Sequence, residues 1–100
     1  MMIKTYINEF VAITKYLLKS ENMRKTEKYL IVKKNIIEEL LDKNKYDTSL
    51  NKLKTWKALN WIDAEDRRVT RRVYNSELKK SEPCIKIDLK VYETLLLHNK

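Results

Sequence analysis

Four of the five arginines in this sequence fall within six positions: Arg67, Arg68, Arg71 and Arg72. A guanidinium can clamp a phosphate, grip a guanine edge through two parallel hydrogen bonds, or enter a narrow minor groove. The cluster is informative because arginine is scarce here. Lysine, asparagine and isoleucine together supply 34 of the 100 residues, the mark of AT-rich coding, so the lysine content alone says less. Two further sets carry chemistry of the same kind. Asn51, Lys54 and Thr55 share one side of a helical stretch with Ala58, and Asn pairs naturally with adenine and Lys with guanine. Lys4, Asn8, Lys15 and Lys19 line the polar side of another.

Other chemistries are removed by what the chain lacks. With no glycine there is no Walker loop, no GxGxxG turn and no GxSxG elbow. One cysteine, Cys84, permits no intrachain disulfide and no CxxC site, and its apolar neighbours suit a buried thiol. One histidine, His98, would have to carry any His-based triad or multi-His metal site by itself. Glu38, Glu39 and Asp42 read as a solvated acidic helix face, and no metal or cofactor is expected. The net charge of +8 and pI of about 9.6 favour a polyanionic partner, nucleic acid first and a membrane surface second. No apolar run approaches the roughly 20 residues of a membrane span. The first residues lack the layout of a signal peptide, so a cytoplasmic location is expected.

The elements that must position these residues can be read from periodicity. The 100-residue length fits a single domain. Ile3, Ile7, Phe10, Ile13, Thr14, Leu17 and Leu18 predict an amphipathic helix over 3–19. Residues 21–28 are polar and read as loop; residues 29–32 suit a short buried strand. Ile36-Ile37 and Leu40-Leu41, one turn apart, predict a second helix over 33–43, with Asn44 as a left-handed stop. Asp47 or Thr48 then caps a third helix over 48–59, whose buried stripe is Leu50, Leu53 and Trp56. From Trp61 the period changes to two. Residues 61–65 read as a strand, 66–68 as its turn and 69–75 as the returning strand. Residues 76–83 read as a loop ending in Pro83, 84–87 as a brief strand, and Asp88 caps a last helix.

This order of elements resembles the winged helix-turn-helix family. The marks are Ile36-Ile37-x-x-Leu40-Leu41, the turn at 44–47, Leu50-x-x-Leu53-x-x-Trp56, and Trp61-Ile62-Asp63-Ala64 leading into the arginine-rich strand. The resemblance implies an α+β fold: three helices, a small sheet with a β-hairpin wing, and a C-terminal strand and helix appended. Over the single domain 1–100 it puts the helix-turn-helix at about 33–59, the wing at about 61–75 and the extension at 84–100. The chain as a whole is similar to the small accessory proteins of conjugative plasmids in clostridial-type bacteria. That likeness implies binding to double-stranded DNA at an origin of transfer, without catalysis, within a relaxosome that includes a relaxase.

The net charge is +5 over residues 1–34, −2 over 35–66 and +5 over 67–100. Phosphate attraction dominates affinity for DNA. The expectation is therefore that Arg67, Arg68, Arg71 and Arg72 of the wing lead, with Lys4 and Asn8 of the basic first helix next and Asn51, Lys54 and Thr55 of the third helix secondary. An arginine-rich hairpin is also a known defence of a sheet edge, with Asp63, Glu65 and Asp66 as its ion-pair partners. A homodimer is expected, with the first helix and the run Leu95-Leu96-Leu97 as interface, since one module makes few contacts. Three alternatives stand beside this reading: a transcriptional regulator of a plasmid or phage, a protein-docking module that binds no nucleic acid, and a small basic ribonuclease.

Overall fold

The computed structural model describes residues 2–20, 23–76 and 79–98. Helix α1 (Met2–Leu18) buries Tyr6, Phe10, Ile13 and Leu17, which recur at three- and four-residue spacing. Phe10 sits edge-on against Trp56, ring centres 4.9 Å apart, and 5.0 Å from Trp61. One phenylalanine of the first helix thus joins the two tryptophans that flank the end of the third.

The remaining elements are β1 (Arg24–Lys25), β2 (Tyr29–Lys33), α2 (Lys34–Leu41), α3 (Ser49–Ala58), β3 (Ile62–Asp63), β4 (Arg71–Asn75), β5 (Lys80–Asp88) and α4 (Leu89–His98). The fold is α+β, four helices with one small antiparallel sheet of five strands. Among the described residues no helix is long and apolar enough to cross a membrane. Strand β5 is central: β2 pairs with one side of its C-terminal half and β3 with the other, while β4 pairs with its N-terminal half. Leu30 and Val32 of β2 stand opposite Ile87 and Ile85, Ile62 of β3 flanks Ile87 on its other side, and these five buried side chains form the sheet's share of the core. Helix α4 folds back against α1 and buries Leu89 and Tyr92.

Three expectations are corrected here. The strand at 69–75 exists in part, but it does not return along residues 61–65. Both β3 and β4 run antiparallel to β5, so they are two pieces of one strand interrupted by residues 64–70. Asp63 pairs with Lys86 and Arg71 with Cys84, so seven residues stand opposite the single residue Ile85. A turn does form within that segment, closed by Arg68 N–H to the Glu65 carbonyl and Glu65 N–H to the Thr70 carbonyl, each 3.0 Å. It restores the chain's direction instead of reversing it. The true hairpin is β4–β5, closed across Asn75 and Lys80.

Second, residues 80–83 are strand, not linker. Pro83 is tolerated because β2 ends at Lys33, opposite Cys84, leaving β5 at Pro83 with a neighbour on one side only. The C-terminal segment is accordingly the middle of the sheet and not an appendage. Of the polar stretch 21–28, Arg24 and Lys25 form β1 against Ile31 and Leu30, and residues 21 and 22 lie outside the described residues, as do 77 and 78 of the expected loop 76–83.

Third, Asn44 does not stop α2 in a left-handed conformation. The positive-φ residues described are Asn60, Arg67 and Lys79. Asn60, at φ 61°, closes α3: Asn60 N–H reaches the Lys57 carbonyl and Trp61 N–H the Trp56 carbonyl, at 3.0 and 2.8 Å. That is a Schellman ending with asparagine in the place glycine usually takes. The α2–α3 turn is closed by a side chain instead. Lys52, fully buried, donates from Nζ to the carbonyls of Leu41 and Asn44, each at 2.6 Å.

Candidate nucleic-acid interface

Positioning of α3 begins with that lysine. Its Nζ also lies 3.1 Å from Glu9 Oε2 and 4.2 Å from the centre of the Tyr46 ring. Glu9 in turn accepts from Asn44 Nδ2 at 3.0 Å and from the Tyr46 hydroxyl at 2.5 Å. A buried ammonium and carboxylate are tolerable only with such a complete set of partners. The result is a polar knot that ties α1, the turn and α3 together. Beside it the Tyr6 hydroxyl donates to Asp47 Oδ2. Asp47 Oδ1 accepts from Thr48 N–H at 2.8 Å and from Asn51 Nδ2 at 3.1 Å. The Tyr6 hydroxyl, then the Asn51 amide and the Thr48 N–H, hold the Asp47 carboxyl below the usual carboxylate range. Burial, and then the Glu9 carboxylate, push the Tyr46 phenol up. Thr48 caps α3, its Oγ1 accepting from Asn51 N–H at 3.1 Å.

The rotation of α3 that this knot imposes differs from the stripe expected from sequence. Lys52, Leu53 and Trp56 face the core, and Leu50 is turned outward, 50% exposed. Leu50 and Lys54 lie one turn apart on the outer side, with Lys57 on the flank. Against that flank lies the 64–70 segment, fastened by Lys57 Nζ donating to the Glu65 carbonyl at 2.8 Å. Between helix and segment runs a groove of about 400 Å³, lined by Lys34, Leu50, Lys54, Lys57, Arg67, Arg68, Val69 and Thr70. Five of these side chains are cationic and none is a carboxylate. A second hollow of about 370 Å³ shares Lys34 and adds Lys33, Asn35, Lys80, Ser81 and Pro83, with Glu38 and Glu82. The cations therefore continue from the 64–70 segment across the start of α2 to Lys80 at the closed end of the β4–β5 hairpin, with Glu38 and Glu82 among them.

The expected site residues divide. Arg67, Arg68 and Lys54 meet in the groove. Arg72 is exposed on β4, on the strand face it shares with Tyr74; their register partners Pro83 and Ser81 both line the second hollow. Arg71 alternates to the opposite face and is engaged. Its Nη2 donates to Asp63 Oδ1 and the Ala64 carbonyl, each at 3.1 Å, and its Nε lies 2.9 Å from Asp63 Oδ2. Lys86 joins the same carboxylate at 3.7 Å. Arg71 thus fixes where the 64–70 segment leaves the sheet. Asn51 is exposed but gives its amide to Asp47, and the Thr55 hydroxyl donates back to the Asn51 carbonyl at 3.0 Å. Lys4 and Asn8 lie on α1 and are not among the lining of either hollow.

Sequence reasoning missed Lys33, Lys34, Lys57, Lys80 and Leu50. The adjacent pair Lys33-Lys34 at the start of an apolar helical pattern was the available signal for two of them. Averaging charge over 35–66 hid Lys57, because Glu39 and Asp42 counted against it although they line neither hollow; Lys80 was passed over as loop and Leu50 as part of the buried stripe. The expected dimer surface is also partly consumed: α1 spends Phe10, Ile13 and Leu17 on its own core, while Leu96 and Leu97 of α4 remain exposed. No protein-family model matches the chain, and no curated protein sequence matches it significantly.

Proposed function

We propose that this chain is a winged helix-turn-helix protein that binds double-stranded DNA and performs no chemistry on it. In this reading α2 and α3 are the helix-turn-helix, α3 is the helix presented to the major groove, and the β4–β5 hairpin is the wing. The single observation that carries it is the groove between α3 and the 64–70 segment. There Lys34 of α2, Lys54 and Lys57 of α3, and Arg67 and Arg68 of the strand excursion converge with no carboxylate among the lining, and Lys34 has a carboxylate nearby in Glu38 at 4.0 Å. Cations gathered from three separate parts of a chain repel one another, and a polyanion is the partner that offsets the repulsion. The segment 64–70 takes over the leading role expected of a hairpin tip.

On the resemblance noted from the sequence, the target we propose is the origin of transfer of a conjugative plasmid, bound by two copies on paired half-sites in company with a relaxase. The test is enrichment of duplexes from a random library at about 150 mM salt, with Lys54→Ala/Arg67→Ala/Arg68→Ala alongside. The expected result is a motif that recurs as a repeated half-site and is lost in the variant. Failure of wild type to retain any duplex would overturn the reading.

A further inference from the structure

We propose that Leu50 is a base-reading residue that recognises the 5-methyl group of thymine in the major groove; this rests on the DNA-binding reading above. Single exposed leucines are ordinary on protein surfaces, so exposure alone says little. The surroundings of this one are what matter. Leu50 occupies the first turn of α3, half exposed, in a groove whose other lining is five cations, Val69 and Thr70. Its outward position is fixed by the fold, because Lys52, locked to Glu9 and two carbonyls, takes the inward side of that turn.

An apolar side chain among cations has no partner in the phosphates, and the deoxyribose carbons beside them are the same at every nucleotide. Among the groups that base pairs display in the major groove, the thymine methyl is the apolar one. The first turns of a recognition helix are the part that approaches base edges. Lys54 lies one turn beyond Leu50 on the same side, about 6 Å away, which is close to two base-pair steps of about 3.4 Å each. With Lys54 suited to guanine O6 and N7, the pair reads a thymine and a guanine about two steps apart.

The experiment uses the duplex recovered by enrichment and replaces its thymines, one at a time, by deoxyuridine, which lacks only the methyl group. Wild type is expected to lose about fourfold in affinity at one position, the worth of one buried methyl-sized group. Leu50→Ala is expected to bind the thymine and deoxyuridine duplexes equally and to keep its salt dependence. Indifference of wild type to every replacement would overturn the inference while leaving DNA binding intact. So would a Leu50→Ala protein that still prefers thymine at the same position. Absence of duplex binding by wild type at low salt would sink the DNA reading itself and this inference with it. Because the comparison within wild type needs no variant, the inference stays testable even if Leu50→Ala folds poorly.

Discussion

Lys52 is the residue on which the geometry of α3 turns. It is a charged side chain with no exposed surface, held by Glu9, by two carbonyls at the end of α2 and by the face of Tyr46. Lys52→Met leaves Glu9 buried without its cation, the Asn44 carbonyl without the ammonium, and the Leu41 carbonyl with only the long 3.4 Å bond from Asn44 N–H. The expected loss is about 3–5 kcal/mol in a urea titration, with Lys52→Met/Glu9→Gln recovering much of it. Asp47 supplies a milder, pH-dependent contribution. Its carboxyl is held below its ordinary value, so what it contributes is whole above about pH 4 and is lost as pH falls through the depressed value. Melting temperature should therefore drop between pH 4 and pH 2 more steeply for wild type than for Asp47→Asn. Asp47 was read from the sequence as a candidate cap of the third helix, the place Thr48 takes, whereas the role of Lys52 was not legible. A lysine in the third helix looks like solvent-facing charge, and the periodicity of Leu50, Leu53 and Trp56 is satisfied equally well by a helix rotated by part of a turn. Only the partners of Lys52, drawn from α1 and from the far side of the turn, decide between the rotations.

At the scale of elements, periodicity was a good guide to where the helices lie, missed β1 and the first half of β5, and was a poor guide to which strands pair. The change from a period near four to a period of two after Asn60 correctly announced β structure. Asp66 and Arg67 correctly announced a turn. What alternation does not contain is partner choice, which depends on residues far away in the chain: here Cys84, Lys86 and Ile87, whose strand displaces the expected hairpin. The error matters for function, because it moves Arg67 and Arg68 from a projecting tip to the wall of a groove beside α3 and separates them from Arg71. The two groups should respond differently to substitution. Arg67→Ala and Arg68→Ala are each expected to weaken duplex binding about tenfold with an unchanged unfolding curve. Arg71→Ala removes a partly exposed ion pair and two hydrogen bonds, so about 1 kcal/mol of stability should be lost with little change in affinity. Fluorescence anisotropy and thermal denaturation on the same preparations separate these outcomes.

Taken whole, the molecule is elongated, 43 × 25 × 24 Å, and its basic surface follows the fold and not the order of the chain. Lys33 and Lys34, Lys54 and Lys57, Arg67 and Arg68, and Lys80 come from four stretches that a linear charge profile scores separately. The excess of charge was legible in the composition; the face it makes was not, since Glu39 and Asp42 cancel it along the chain while lining neither hollow, and Glu38 and Glu82 lie within it. If about six of these cations meet phosphates, affinity should fall about a thousandfold between 50 and 200 mM salt. A fall of tenfold or less would mean that the face contacts DNA at one or two points.

Arg67 lies in the groove at a backbone φ of 64°, a region that costs an ordinary residue about 1 kcal/mol and a glycine almost nothing. A chain without a single glycine has left that energy unclaimed at the position where a guanidinium faces the proposed ligand. Arg67→Gly should raise the melting temperature and weaken DNA binding together. Selection for thermal stability alone would be expected to find this substitution early, and selection for retention on DNA to reverse it.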